Sequence, residues 1–467
     1  LNNCAPRTTP SDRMTSPSHM LLRNCTAVAT MNDARAVLRD VDVLVDGPRI
    51  QAIGTGLNAE GAACIDCRGK VVLPGLVNTH HHLYQVLTRN LPAAQNAKLF
   101  DWLVYHYEIW RGITPDAVYA AARCGLAELL LTGCTTSADH HYLFPRGASA
   151  YLLDEEIRAA RELGIRFHPT RGSMTRGRTL GGLPPDDVVQ TERDILHDSL
   201  RVIEQYHDPA PLSMCRLALA PCSPFSVTPE IMRATAVLAR EKGVQLHTHL
   251  CETLDEEQYC LDTCGMRPLE YMDSVGWLDD DVWYAHGIYF NDAEIAQLGR
   301  TRTGIAHCPT SNLRLGSGIA PVRALLQAGA PVGLAVDGSA SNDGSNMLLE
   351  VRMAMLVQRI KAGVDAMPAL DALWLATRGG AAVLGRDDIG ALAPGMAADL
   401  AVFDISGLAH AGAQSDPVAA VLFCGFDQRA WLTMVNGVVV VRDKQLVQAD
   451  AGAIAAAANA AAKQLCA

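Results

Sequence analysis

No run of basic residues interleaved with aromatics occurs in this chain, and its 39 Lys and Arg are outnumbered by 50 Asp and Glu, for a net charge of −11. Such a surface repels polyanions, so a nucleic-acid polymer is excluded as a partner, although a single free base would need no basic stripe. The Ala-rich segment from Ala449 to Ala462 is too short and too weakly apolar to span a bilayer and is expected to be a terminal helix; no membrane partner is expected. Residues 1–19 are rich in Pro, Ser and Thr and lack the apolar centre of a secretory signal. They read as a disordered leader or an upstream translation artefact, with Met20 as the true start. The 14 cysteines show no framework spacing, which points to reduced, buried thiols in a cytoplasmic protein. Cys64-Ile65-Asp66-Cys67 has no second pair and reads as a strand and turn rather than a redox or zinc motif.

What is present describes a well-buried globular chain: 467 residues, 49% hydrophobic and 19% charged. That length accommodates one large domain of about 300 residues and a smaller one. From about Val118 one unit recurs: helix, Gly, short apolar strand. Thr114-Pro115-Asp116 and Thr228-Pro229-Glu230 place Thr at an N-cap and Pro at the first helical position, and Gly133, Gly243 and Gly329 follow helical segments. Strand candidates lie near 72–80, 134–140, 165–170, 216–222, 244–249, 282–286, 303–307 and 332–337. Short apolar strands alternating with helices imply parallel βαβ units, and eight of them imply a closed (β/α)₈ TIM barrel of the α/β class. An open doubly wound sheet is the alternative, but no Gly-rich phosphate loop follows the first strand. Short alternating strands at both chain ends, such as Val41–Val45 and Trp431–Val441, predict a small β-sandwich built from both termini. The expected boundaries are a leader at 1–19, sandwich parts at 20–73 and 391–467 (the latter with the terminal helix), and the barrel at 74–390.

The unusual polar residues fall at the C-terminal ends of the expected strands, where barrel enzymes carry their sites. Pro74-Gly75-Leu76-Val77-Asn78-Thr79-His80-His81-His82 ends the first strand, and alternation puts His80 and His82 on one side and His81 on the other. The fifth strand ends in His247-Thr248-His249-Leu250-Cys251-Glu252, the sixth in His286 and the eighth in Asp337. Taken singly, His286 would be a hydrogen-bonded core histidine and Asp337 a helix cap; His81 and His247 read as structural. Four such strand ends in one barrel point instead to a metal site. Three imidazoles and a carboxylate suit Zn²⁺, with Fe²⁺ as the alternative.

Together these motifs resemble the amidohydrolase superfamily over about residues 21–450. Two-metal members carry a carboxylated Lys at the end of the fourth strand. The corresponding Leu217-Ala218-Leu219-Ala220-Pro221-Cys222 has none, so one ion per chain is expected. His249-Leu250-Cys251-Glu252 resembles the mononuclear zinc aminohydrolases that deaminate aromatic heterocycles; the H-x-E and P-C-x-x-C signature of the other zinc deaminases is absent. The resemblance implies that His80, His82, His249 and Asp337 are metal ligands. It also implies that Asp337 takes a proton from water, that His286 orients that water, and that Glu252 protonates a ring nitrogen.

The finer substrate rests on resemblance alone. His82 to Arg89, Ala93 to Gln95, Gly181 to Asp186 and Asp337 to Asp343 are similar to bacterial members that convert 8-oxoguanine to uric acid. Guanine, isoxanthopterin and s-triazine aminohydrolases or chlorohydrolases are the alternatives, and a non-catalytic barrel would have lost some of these ligands. A planar heterocyclic base would be met by Gln85 pairing with an amide edge, Trp102 and Tyr105 stacking, and Arg171 and Ser173 reaching a carbonyl. His140 is a candidate support for the ligands, and Pro309-Thr310-Ser311-Asn312 a candidate support for the site loops. A homo-oligomer is expected.

Overall fold

The computed structural model describes residues 19–58, 60–425 and 427–467; the expected leader lies outside these residues except for His19, which begins a strand. Eight parallel strands close into a barrel. They are β1 (Leu76–Asn78), β2 (Cys134–His141), β3 (Arg166–Ser173), β4 (Ala218–Pro221), β5 (Gln245–Leu250), β6 (Val282–His286), β7 (Gly304–His307) and β8 (Val332–Leu334).

The helix–Gly–strand unit forms for the reasons its sequence suggests. Thr114 accepts from Ala117 N (3.3 Å) to start the helix Pro115–Leu131, and Thr228 accepts from Ile231 N to start Pro229–Lys242. Gly243 and Gly329 then stop their helices in the left-handed conformation, φ 67° and 91°. The tail forms the helix Ala451–Leu465, capped by Asp450, and no helix among the described residues is long and apolar enough to cross a membrane.

Strands from both chain ends combine into a single nine-stranded mixed sheet. His19–Ala29 runs antiparallel to Val37–Asp46 but parallel to Ala63–Asp66 and Lys70–Pro74, and Lys70–Pro74 joins Leu400–Asp404 from the far end. Val43, Val45, Val72, Leu400, Val402 and Leu432 belong to a buried cluster of its own. The stretch read as one strand over 72–80 is split. Lys70–Pro74 belongs to this sheet and Leu76–Asn78 to the barrel, with Gly75 at the crossover, where a Cβ would lie 2.1 Å from Thr135 Oγ1.

A buried ion pair ties the two units together. Arg166, at the start of β3, meets both oxygens of Asp399 (3.1 and 3.2 Å) and donates to the carbonyls of Leu212 and Ser213. Asp399 also accepts from Asn436 N (2.6 Å), and its carbonyl accepts from Gly75 N (3.0 Å). Removing one partner strands a buried charge. Asp399→Ala is therefore expected to lower unfolding free energy by about 3–5 kcal/mol in denaturant titrations; a loss below about 1 kcal/mol would show that the pair does not hold the units together.

Candidate active site

The first-strand ligands do not sit in β1 itself. After Asn78 the chain forms a two-residue strand, His81–His82, that pairs in parallel with Asp337–Gly338. Asp337 N donates to His80 O (3.2 Å), so the segments bearing His80, His82 and Asp337 are joined through their backbones. His81 turns away to Ser345 Oγ (3.0 Å).

Hydrogen bonds at the back of each ring set where its free electron pair lies. His82 Nδ1 donates to the His140 carbonyl (2.8 Å) and His249 Nδ1 to the Cys222 carbonyl (2.6 Å). A carbonyl has no proton to give, so both rings hold theirs on Nδ1 and leave Nε2 bare. His80 reaches the same state through a second imidazole. His247 Nδ1 donates to Trp283 O (2.9 Å), which makes His247 Nε2 the acceptor for His80 Nδ1 (2.7 Å).

Two overlapping sets of candidate ligands meet here: His80, His82 and His249 with His140, and Asp337 with His80 and His286. His82 Nε2 and His249 Nε2 are 3.0 Å apart, and Asp337 Oδ1 lies 3.2 Å from His80 Nε2 and 3.4 Å from His82 Nε2. Four acceptors at this spacing repel unless a cation lies between them. A four-coordinate ion with ligands at ~2.0–2.1 Å would space them about 3.3 Å apart. Burial holds His80 well below its ordinary pKa and pushes His82 to about 4 and His249 to about 3, so the rings are neutral, as ligands must be. Burial alone would raise Asp337, but the neighbouring His286, itself raised above its ordinary value, works against it and favours the ionised carboxylate. Its Oδ2 accepts from Ser311 Oγ (2.5 Å) and Ser341 Oγ (3.1 Å).

Beside these groups sit a carboxyl and a fourth imidazole. Glu252 Oε2 is 3.4 Å from His286 Nε2, and His286 Nδ1 donates to Asn312 Oδ1 (2.9 Å). Burial, against the pull of His286, pushes Glu252 up to about 7. His286 moves the other way from a typical buried imidazole: burial lowers it, but Glu252 and Asp337 raise it above its ordinary value. His286 (φ 76°) and Asp337 (φ 62°) both have left-handed backbones, a strained conformation that turns their side chains inward.

His82, His249, Glu252, His286, Asp337 and Ser341 line one cavity. Its apolar wall includes Leu99, Trp102, Leu103 and Tyr107 of the helix Leu99–Trp110, with Phe225 and Leu315 opposite. Three buried polar atoms of lining residues have no protein partner: Gln85 Oε1, Trp102 Nε1 and the Tyr107 hydroxyl.

Three expected substrate contacts are not brought here. Tyr105 is 37% exposed and lies about 130° around the helix from the cavity face. Arg171 is buried away from the cavity, bound to Asp198 Oδ2 and Gln190 Oε1 (2.9 Å each). Ser173 is buried in β3, its carbonyl accepting from Cys222 N (2.9 Å), and is not among the lining residues. A second buried cluster, Asp139, His141 and Glu156, has its imidazole fully used: Nε2 donates to Leu143 O (3.0 Å) and Nδ1 faces Glu156 Oε1 (2.9 Å).

The amidohydrolase family model matches residues 71–440. The chain belongs to the amidohydrolase family. It is 50% identical to an 8-oxoguanine deaminase of Pseudomonas aeruginosa, over 96% of this chain and 99% of that protein. A hydroxydechloroatrazine ethylaminohydrolase of Pseudomonas sp. strain ADP is 37% identical over 94% of this chain and 93% of its own. The crystal structure of an atrazine chlorohydrolase from Arthrobacter aurescens TC1 complexed with zinc superposes with a TM-score of 0.92 at 38% identity, covering 95% of this chain and all of that one.

Within this amidohydrolase site the fourth strand contributes Cys222, whose Sγ lies 4.0 Å from the Nδ1 edge of His249, the edge away from the convergent Nε2 atoms. Sequence reasoning missed the wall residues Leu99, Leu103 and Tyr107, although with Trp102 they fall at i, i+3, i+4 and i+8, a helical stripe. It also read His247 as merely structural, whereas His247 sets the His80 tautomer. His247→Phe is expected to weaken divalent-ion affinity about 10–100-fold in chelator competition, because His80 loses the partner that fixes its proton. Unchanged affinity would show that the tautomer is set some other way.

Proposed function

We propose that the chain hydrolyses 8-oxoguanine to uric acid and ammonia, with one zinc ion held by His80, His82, His249 and Asp337. The observation that carries this reading is a protonatable, buried Glu252 beside His286, facing the same cavity as the convergent lone pairs. A bound zinc ion supplies a Lewis acid that makes water nucleophilic near neutral pH.

The chain's own groups then divide the proton work. Glu252, pushed to about 7, keeps a proton that an ordinary carboxylate has lost and donates it to the ring nitrogen beside the amine-bearing carbon, making that carbon electrophilic. His286 orients the attacking water through Nε2, its ring fixed by Asn312. Asp337, ionised and steadied by Ser311 and Ser341, takes the proton released by water as the C–O bond forms. It passes that proton to the amine of the tetrahedral carbon; as the C–N bond breaks and ammonia leaves, the carbonyl forms and the hydroxyl proton returns to Glu252. Gln85 and Trp102 offer an unpaired acceptor and an unpaired donor to the edges of a flat base, and the apolar wall excludes bulk water.

The substrate assignment is supported by 50% identity across nearly the whole length of an 8-oxoguanine deaminase. Ammonia release from 8-oxoguanine is expected to be faster than from guanine, isoxanthopterin or an aminotriazine, with no chloride released from a chlorotriazine. Faster turnover of any of these would overturn the choice of base. Glu252→Gln should keep its zinc and lose about 10²–10⁴-fold in kcat. Because the acid form of Glu252 is present below its raised pKa and lost above it, the kcat profile of the unmodified enzyme should fall as pH rises through about 7. A profile flat from pH 6 to about 9 would assign the proton to another group.

A further inference from the structure

The turn that delivers Glu252 is held from behind by a carboxylate with no contact with the cavity. Glu256 is fully buried, and its two oxygens accept from consecutive backbone amides, Cys251 N (3.0 Å) and Glu252 N (2.9 Å). Cys251 is a non-glycine residue at φ 55°, a conformation that costs energy and persists only where its surroundings impose it. On the other side of this turn, the Cys251 carbonyl accepts from Ile288 N (2.8 Å) and Tyr289 N (3.1 Å), and Gly287 N donates to Leu250 O (3.1 Å). One set of backbone bonds therefore connects Glu256, the Glu252 turn and the segment that follows His286.

The plain alternative is helix capping. Thr253 caps the helix Leu254–Cys264 by accepting from Glu256 N (3.3 Å), which makes Thr253 and Glu256 the N-cap and N3 residues of a capping box. In that box the N3 carboxylate would bond the N-cap residue's own amide. Here it reaches past it to the two preceding amides, those of the strained residue and of the acid itself. The cap needs only Thr253, and the two bonds made by the Glu256 carboxylate lie beyond it.

We propose that Glu256 is a positioning residue for the deamination, presenting the Glu252 carboxyl to His286 and the substrate ring by clamping the Cys251–Glu252 backbone. This rests on Glu252 being the proton donor. The groups facing Glu252 are His286, Asp337, Glu256 and the hydroxyl of Ser317 (3.4 Å). None of the proposed ligands bonds Glu256, so its loss should leave the ion in place.

Glu256→Gln keeps size but supplies only one acceptor oxygen and sets an NH₂ against the second amide, so one buried N–H is left unpaired and the turn relaxes. The expected result is a kcat lowered by about tenfold or more, KM within about twofold, one zinc per chain, and an alkaline limb displaced to lower pH as Glu252 becomes better solvated. Glu256→Asp, too short to span both amides, should act in the same direction and serves if the Gln variant does not fold. Thr253→Val removes the cap alone: it should lower the melting temperature while keeping kcat and the alkaline limb. Either Glu256 variant with unaltered kcat and pH profile overturns the proposal, as does an equal kcat loss and limb displacement in Thr253→Val. An active Glu252→Gln would instead overturn the reading beneath it, whatever Glu256 does.

Discussion

Electron pairs of like kind repel, and this fold holds four of them within a few ångströms. Among the Nε2 atoms of His80, His82 and His249 and Asp337 Oδ1, His82 lies 3.0 Å from His249 and 3.4 Å from Asp337, and His80 lies 3.2 Å from Asp337; each ring is aimed by something behind it. The carbonyls of His140 and Cys222 take the Nδ1 protons of two rings, and His247, itself tied to Trp283, takes the third. Those supports lie on β2, β5 and β6 and just past the end of β4, so the arrangement exists only once the barrel is closed. The short pairing of His81–His82 with Asp337–Gly338 completes it by locking the first and last ligand segments together.

The two acidic groups of the cavity are driven apart in pKa. Asp337 faces His286 and accepts from two hydroxyls, which favour its ionised form; Glu252, with Ser317 as its weak donor, is pushed by burial to about 7. One can therefore accept a proton and the other give one at the same pH, which a deamination requires of two carboxyl groups in one cavity. The buried Asp139–Glu156–His141 cluster behind them has a different task. His141 Nε2 donates to Leu143 O, so Nδ1 accepts from a Glu156 that burial raises to about 8, while Asp139 Oδ1 holds Leu83 N (2.7 Å), the start of the turn carrying Gln85.

Local signals were legible where the chemistry is local. Thr-Pro starts and glycine stops set the helices, and His-x-His, His-x-x-Glu and the Asp after an apolar strand marked the site, because a polar residue at a barrel strand's C-terminal end has few other uses. The strand read over 72–80 hid a crossover between two sheets, since a continuous apolar run does not show where its partner strands change. Tyr105 and Arg171 were misplaced for a similar reason: each is near the site in sequence but turned from it, one by helix phase and the other by the pull of Asp198. The roles of His247 and Glu256 depend on bonds to distant or unusual backbone atoms, which no spacing encodes.

The central claim is that the barrel prepares one ion site, with proton-loaded Nδ1 atoms behind three bare Nε2 atoms. It is tested most directly by the anomalous difference density at the zinc absorption edge in crystals of the zinc-loaded protein. The account predicts a single peak per chain, coordinated by Nε2 of His80, His82 and His249 and by Asp337. A second peak beside Cys222, a peak in the Asp139–His141–Glu156 cluster, or a zinc bound through Nδ1 of any of the three rings would contradict it.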